Sequence, residues 1–227
     1  MDGTVLFAEE RPGALVIKGR RRNTFLATET IEALRGWELI LATGRSISST
    51  LEIKEAMEKR GLIISGAVAE NGGIAITEET TYLTSSIWQS EISLLKDSNY
   101  PYLKEFMTCL ALLKPTSEEL SKVRISLNQD HYLLQDGNKV FLLEQGISKR
   151  KALEYLLGDD LFSCCGIGND LNDLDWLQMV AISAAPAGVK DEVALLVQSK
   201  CGIMANQTGH SAIPEIINII KARLSDS

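Results

Sequence analysis

Gly166-Ile167-Gly168-Asn169-Asp170-Leu171-Asn172-Asp173 is the stretch on which the reading of this chain turns. Ahead of it, Leu161-Phe162-Ser163-Cys164-Cys165 is short and apolar enough to predict a buried parallel strand. Behind it, Leu174-Asp175-Trp176-Leu177-Gln178-Met179-Val180 carries apolar residues at helical spacing. A glycine turn between strand and helix lies at the carboxyl edge of a sheet, where open α/β folds place their chemistry. Acids and amides gathered there suit a hard cation such as Mg²⁺, which takes a few carboxylates and keeps some water. An isolated turn of this kind would do no more than cap a helix, so the surrounding chain decides.

Working outward, Ser148 opens a helix that buries Ala152, Leu153, Leu156 and Leu157 and closes at Gly158. Beyond the acidic turn come a strand at Val180 to Ser183, a helix from about Val189 to Val197, and a short strand at Cys201-Gly202-Ile203-Met204. The last helix sets Ile213, Ile216, Ile217, Ile220 and Leu224 on one face. At the other end, Ala14 to Lys18 reads as one arm of a hairpin, followed by the basic loop Gly19 to Asn23, a solvated turn or a collar for anions. Thr28 is placed to cap a short helix ending at Gly36, and Trp37 to Ala42 is a buried strand running into Thr43-Gly44-Arg45-Ser46. A helix from Ser46 or Ser48 stops at Gly61, supported by the Glu55–Lys59 pair. Ala67-Val68-Ala69 is a further strand, ending in Glu70-Asn71-Gly72-Gly73. Strand and helix alternate throughout, which predicts a Rossmann-like three-layer α/β core with a parallel sheet.

Between Gly73 and Gly146 the pattern changes. Ile87 to Leu95 and Tyr102 to Leu113 read as helices, with Pro101 in a first turn and Pro115 as a stop. Val123 to Leu127, His131 to Leu134 and Val140 to Leu143 read as extended, the last two joined at Asp136-Gly137. The domain reading is a split core, 1–75 and 146–227, carrying an α+β cap at 76–145.

The 227 residues carry a formal net charge of −7, which argues against a general nucleic-acid or membrane-surface binder. The four cysteines form no C-x-x-C pair, and Cys164 and Cys165, inside the predicted strand 161–165, read as small core residues in a reducing compartment. No apolar run reaches membrane-span length, and a cytoplasmic location is expected. Oligomeric state leaves no trace in the sequence.

Asp2-Gly3-Thr4, Leu41-Ala42-Thr43-Gly44-Arg45, Glu70-Asn71-Gly72-Gly73, Gly146-Ile147-Ser148-Lys149 and Gly168 to Asp173 stand in order along the whole chain. Together they resemble the haloacid dehalogenase superfamily, in its branch with an α+β cap, similar to the Cof-type, sucrose-phosphatase-like and mannosyl-3-phosphoglycerate-phosphatase-like phosphatases. The resemblance implies Mg²⁺-dependent hydrolysis of a phosphorylated small metabolite, a sugar phosphate for example, through an aspartyl-phosphate. It makes Asp2 the general acid/base and a metal ligand, and gives Thr43 and Gly44, with Arg45 beside them, to the phosphoryl group. It sets Lys149 against nucleophile and phosphate, Asn172 near the phosphate, and Asp173 at the metal. His131 and His210 match no motif and read as ordinary polar residues.

Two departures stand out. The first metal-binding Asp of the family falls on Asn169, with an extra carboxylate next to it at Asp170, and the sequence leaves both open as ligands. The nucleophilic Asp belongs two residues before Asp2, so the chain as written is expected to lack it together with the first strand. Such a chain is expected to fold poorly and turn over nothing until an apolar strand ending in Asp precedes Met1. A lapsed enzyme kept as a phospholigand-binding or protein-interaction module is the competing reading.

Overall fold

The computed structural model describes residues 4–18, 23–96, 102–103 and 105–225. Asp2 and Gly3, the basic residues Arg20 to Arg22, and Pro101 lie outside the described residues. In chain order the first elements are β1 (Leu15–Ile17), β2 (Thr24–Leu26), α1 (Thr28–Leu34), β3 (Glu38–Ala42), α2 (Ile47–Glu58) and β4 (Ile63–Ala69). Then follow β5 (Ile74–Ile76), β6 (Thr80–Tyr82), α3 (Ser86–Lys96), β7 (Leu110–Leu113), α4 (Ser117–Ile125), β8 (His131–Asp136) and β9 (Lys139–Glu144). The chain ends with α5 (Lys149–Leu157), β10 (Cys165–Ile167), α6 (Leu174–Leu177), β11 (Ile182–Ala185), α7 (Asp191–Ser199), β12 (Ile203–Met204) and α8 (Ala212–Ser225). These form two compact units, one of residues 1–41, 51–66 and 157–227, the other of 42–50 and 67–156.

The first unit carries the parallel sheet β10-β11-β12, with Cys165 opposite Ile182 and Ala184 opposite Ile203. Val193 and Val197 of α7 and Ile213, Ile216, Ile217 and Ile220 of α8 are buried in it, and α1 packs on α8 through Ile31 and Leu34. Each such side chain contributes about 1.5–3 kcal/mol on leaving water. Antiparallel β1 and β2 form the expected hairpin, extended by a bridge from Phe7 to Phe25. Thr28 does not cap α1: the cap is Ala27, and the Thr28 hydroxyl donates to the Gly13 carbonyl at 3.1 Å. Leu224, assigned to the inner face of α8, is half exposed.

The strand before the acidic turn lies further along than its apolar composition suggested. Gly158–Ser163 is a 3₁₀ turn, begun by Gly158 at a φ of 53° and closed by a bond from Cys164 N–H to Leu161 O. Of the predicted run only Leu161 is buried, and the strand occupies Cys165–Ile167. Cys164 is half-buried and Cys165 exposed, so neither is a core residue; among the described residues β10 is an end strand of its sheet.

In the second unit, the carboxyl end of β4 pairs antiparallel with β5, which pairs with β6, within the sheet order β3-β4-β5-β6. A separate antiparallel sheet, β7-β9-β8, turns at Asp136-Gly137 as its sequence signals. One cluster joins Trp88, Ile92 and Leu95 of α3 with Leu110, Leu112, Val123 and Leu142. Another joins Phe106, Cys109, Ala111, Phe141, Leu143 and Ile147.

Those two clusters explain the misread segments. Leu110 and Leu112 fall in one cluster and Ala111 in the other, the period-2 alternation of a strand, so residues 102–113 are not the predicted helix. Residues 123–127 are not extended: α4 runs to Ile125 from Thr116, whose hydroxyl accepts from Glu119 N–H while Glu119 accepts from Thr116 N–H. That reciprocal pair is a capping box. Among the described residues no helix is long and apolar enough to cross a membrane.

Trp88 is fully buried and donates its indole N–H to Thr108 O at 2.7 Å. Trp88→Ala is expected to cost about 3–5 kcal/mol, read as the change in urea-unfolding free energy followed by circular dichroism.

Candidate active site

The turn after β3 is organised by its own threonine. The Thr43 hydroxyl accepts from Arg45 N–H at 3.1 Å, and Thr43 is 2% exposed. Thr43 N–H donates to Val68 O, and Thr43 O accepts from Asn71 N–H, tying this turn to the end of β4. Gly44 has no side chain because Asn71 occupies its space: a Cβ there would lie 2.7 Å from Asn71 Oδ1. The result is a fixed loop with a hydroxyl and backbone amides at a helix start, a common design for holding phosphoryl oxygens. Arg45 turns its guanidinium toward Ser49 Oγ at 3.3 Å.

Glu70-Asn71-Gly72-Gly73 is the counterpart of that loop. Glu70 and Asn71 adopt φ values of 52° and 58°, the left-handed region that side chains resist. Gly72 follows at 108°, and a Cβ on it would lie 2.0 Å from Ser148 O. Only glycine fits between this turn and the start of α5. There Ser148 Oγ accepts from Lys151 N–H, and Lys149 is 5% exposed, not the solvated lysine that a surface helix start suggests. A buried ammonium is costly unless it is paired or hydrogen-bonded, so this position holds its charge in a fixed environment at the start of α5.

Glu70 itself is fully buried. One carboxylate oxygen accepts from Ile47 N–H at 3.3 Å, at the start of α2. The other accepts from Met107 N–H at 2.8 Å, Thr108 N–H at 2.7 Å and the Thr108 hydroxyl at 2.8 Å. The sequence reading assigned Glu70 no role beyond the turn; its signal is an acid placed directly after a fully apolar strand end.

The acidic turn belongs to the first unit and holds itself together. Asp173, 4% exposed, accepts from Asn169 N–H and Asp170 N–H on one oxygen and from the Trp176 indole on the other. Gly168 is required because a Cβ would lie 2.8 Å from Asp173 Cβ. Asn169 Oδ1 accepts from the Thr4 hydroxyl at 2.9 Å, which ties the acidic turn to Thr4. Asp170 instead pairs with Lys190 at 2.6 Å and accepts from Leu171 N–H. Asn172 is half-buried on the same turn. Among the described residues no cluster of three or more His, Cys, Asp or Glu side chains could hold a metal ion. The oxygen donor types here, the Asp173 carboxylate and the Asn169 carbonyl, are those that a hard cation keeping several waters would take.

His210 is buried, its Nε2 2.9 Å from Glu9 O and its ring edge-on to Phe7, a packing role. His131 lies stacked near Trp88, 6.4 Å between ring centres.

No family model matches the sequence, and no curated protein matches it. Solved structures do. A Thermoplasma acidophilum protein aligns over 91% of this chain and 94% of its own, with a TM-score of 0.67 and 17% identity. A haloacid dehalogenase-like hydrolase from Bacteroides thetaiotaomicron aligns over 90% and 95%, at 0.66 and 16%. A sugar phosphatase of haloacid dehalogenase subclass IIB aligns over 87% and 92%, at 0.60 and 16%.

Burial pushes the Glu70 carboxyl above the usual range, and its donors from Thr108, Met107 and Ile47 offset this only in part. The folded chain therefore binds this proton more tightly than the unfolded chain, so ionisation of Glu70 lowers stability as pH rises between the two values. Glu29, Glu119 and Glu215 have the opposite sign: backbone N–H donors lower their carboxyls, giving stability that is lost as pH falls through their folded values. Urea midpoints should thus fall in acid for both the natural chain and Glu70→Gln. Relative to Glu70→Gln, the natural chain should lose stability as pH rises from about 4.3, the ordinary glutamate value. Parallel pH profiles for the two would contradict the assignment.

Proposed function

We propose that this chain, which has the fold of the haloacid dehalogenase superfamily hydrolases, is a phosphatase acting on a phosphorylated small metabolite, a sugar phosphate for example, with Mg²⁺. The observation that carries the reading is the second unit's arrangement of the Thr43–Gly44 turn, Asn71 and buried Lys149 around the glycine positions 44 and 72. Uncatalysed phosphate-monoester hydrolysis needs up to about 10²¹-fold acceleration, and positioning with charge stabilisation supplies most of what a protein can add. Thr43 and the amide of Gly44 orient phosphoryl oxygens, with Arg45 beside them. Lys149 neutralises their charge. Asp2 is the general acid/base, protonating the leaving oxygen as the phosphoryl group passes to the aspartate nucleophile that belongs two residues before it. Turnover by this mechanism requires that residue. Asn172 holds a neighbouring polar group.

Asn169 and Asp173, together with Asp2, are the residues that would hold Mg²⁺, which when bound neutralises charge on the transferring group. Asp170 is the other candidate ligand; its carboxylate is paired with Lys190 at 2.6 Å, which supports Asn169 as the first choice. The segment 76–145 is the cap, and it sets which metabolite is accepted. The neutral amide of Asn169, in the place of a carboxylate, favours a second reading: a module that binds a phosphorylated ligand without hydrolysing it.

A panel of sugar phosphates and an aryl phosphate, assayed for phosphate release with Mg²⁺ and with chelator, separates the two readings. Metal-dependent release supports the phosphatase; saturable binding of inorganic phosphate with no release supports the binding module. Asp173→Ala should abolish metal response and turnover together, at least a hundredfold. Asp170→Asn should change the Mg²⁺ concentration dependence by no more than a few-fold. Full turnover by Asp173→Ala with an unchanged metal response would exclude the assignment.

A further inference from the structure

We infer that Glu70 is a positioning residue that couples the phosphate-binding turn 43–46 to the turn at 106–108, so that occupancy of one sets the other. The inference rests on the phosphate-binding reading of Thr43 and Gly44. A fully buried carboxylate is costly, and no ion pair offsets this one among the described residues; it is held by hydrogen bonds alone. Those bonds divide cleanly. One oxygen serves Ile47, the first residue of α2 and the end of the Thr43–Ser46 loop. The other oxygen serves only Met107 and Thr108.

The backbone repeats the link. Glu70 N–H donates to Arg45 O at 2.9 Å and Asn71 N–H to Thr43 O at 3.2 Å. Both residues are in the left-handed region, so the grip on the loop is made at a cost in backbone strain. Thr108 also fills the space beside Gly73, where a Cβ would lie 2.0 Å from its hydroxyl. Met107, whose amide is held by Glu70, has a 48% exposed side chain. An anion bound at the 43–46 loop therefore tightens the hold on Ile47, and Glu70 passes that tightening to the 106–108 turn.

Gln in place of Glu70 separates the two links. Its carbonyl can replace the oxygen with three donors, but its amide then faces Ile47 N–H, donor against donor. The full chain is titrated with inorganic phosphate by calorimetry, and amide exchange is followed at Ile47, Met107 and Thr108. In the natural chain phosphate should slow exchange at all three. In Glu70→Gln, phosphate affinity should fall about tenfold, the size of one hydrogen bond to a charged group. Exchange at Ile47 should rise, and the phosphate-induced slowing at 107 and 108 should disappear, while thermal unfolding stays cooperative.

Thr108→Val, which removes one donor and keeps the shape, should weaken the slowing at 107 and 108, and Thr108→Ser should restore it. This pair serves as well if Glu70→Gln does not fold. Phosphate binding by the natural chain with unchanged affinity and slowing in Glu70→Gln, or in Thr108→Val should the former not fold, overturns the coupling alone. Failure of the natural chain to bind phosphate overturns the phosphate-site reading and the coupling with it.

Discussion

A charge inside a protein must be surrounded by donors, and in this molecule that requirement falls on Glu70. Its four hydrogen bonds reach the first turn of α2 and two consecutive residues ahead of β7. Meeting them fixes the backbone at 70 and 71 in a conformation that neither residue favours. That conformation in turn aims the N–H groups of 70 and 71 at the carbonyls of Arg45 and Thr43. The carboxylate, the strained turn and the loop are thus one constraint, and relaxing any part leaves a buried polar group unmet.

The first unit solves a similar problem in a smaller space. Asp173 satisfies its own turn by accepting from two backbone amides and an indole. That leaves Asn169 to reach Thr4, and Asp170 to be drawn off by Lys190. The question that the sequence left open between Asn169 and Asp170 is thereby given a geometry: one side chain meets Thr4 and the other meets a lysine. Glycine enforces both arrangements by absence, Gly168 under Asp173 and Gly44 under Asn71.

What was legible in the sequence is what local chemistry decides. Gly36, Gly61 and Gly158 take left-handed φ values where the helices before them stop, and Gly137 does so in the β8–β9 turn. Alternating strand and helix gave the α/β class with its parallel strands. The failures have two causes: partners distant in sequence, for 102–113 and Glu70, and local cap or turn signals, for 123–127 and 161–165. Residues 102–113 have helical spacing, yet β9 is available for Leu110–Leu113, and the pairing wins. Residues 123–127 read as extended, yet the capping box at Thr116 and Glu119 starts a helix that carries through Ile125. The run 161–165 was counted by composition, whereas Gly158, Asp159 and Asp160 turn the chain until Ser163. Glu70 was invisible because its donors lie 23, 37 and 38 residues away.

On the proposed function, the exchange of a carboxylate for Asn169 has an electrostatic consequence on both partners of the site. Two unit charges about 4 Å apart interact by about 4 kcal/mol near a protein surface. Removing one negative charge weakens the hold on a divalent cation, and equally reduces repulsion of a phosphate dianion. Lys190 acts in the same direction by neutralising the neighbouring Asp170. The acidic turn therefore carries less net negative charge than its two Asp suggest. In the second unit, by contrast, the order around Thr43, Asn71 and Glu70 comes from hydrogen-bond geometry and not from paired charges.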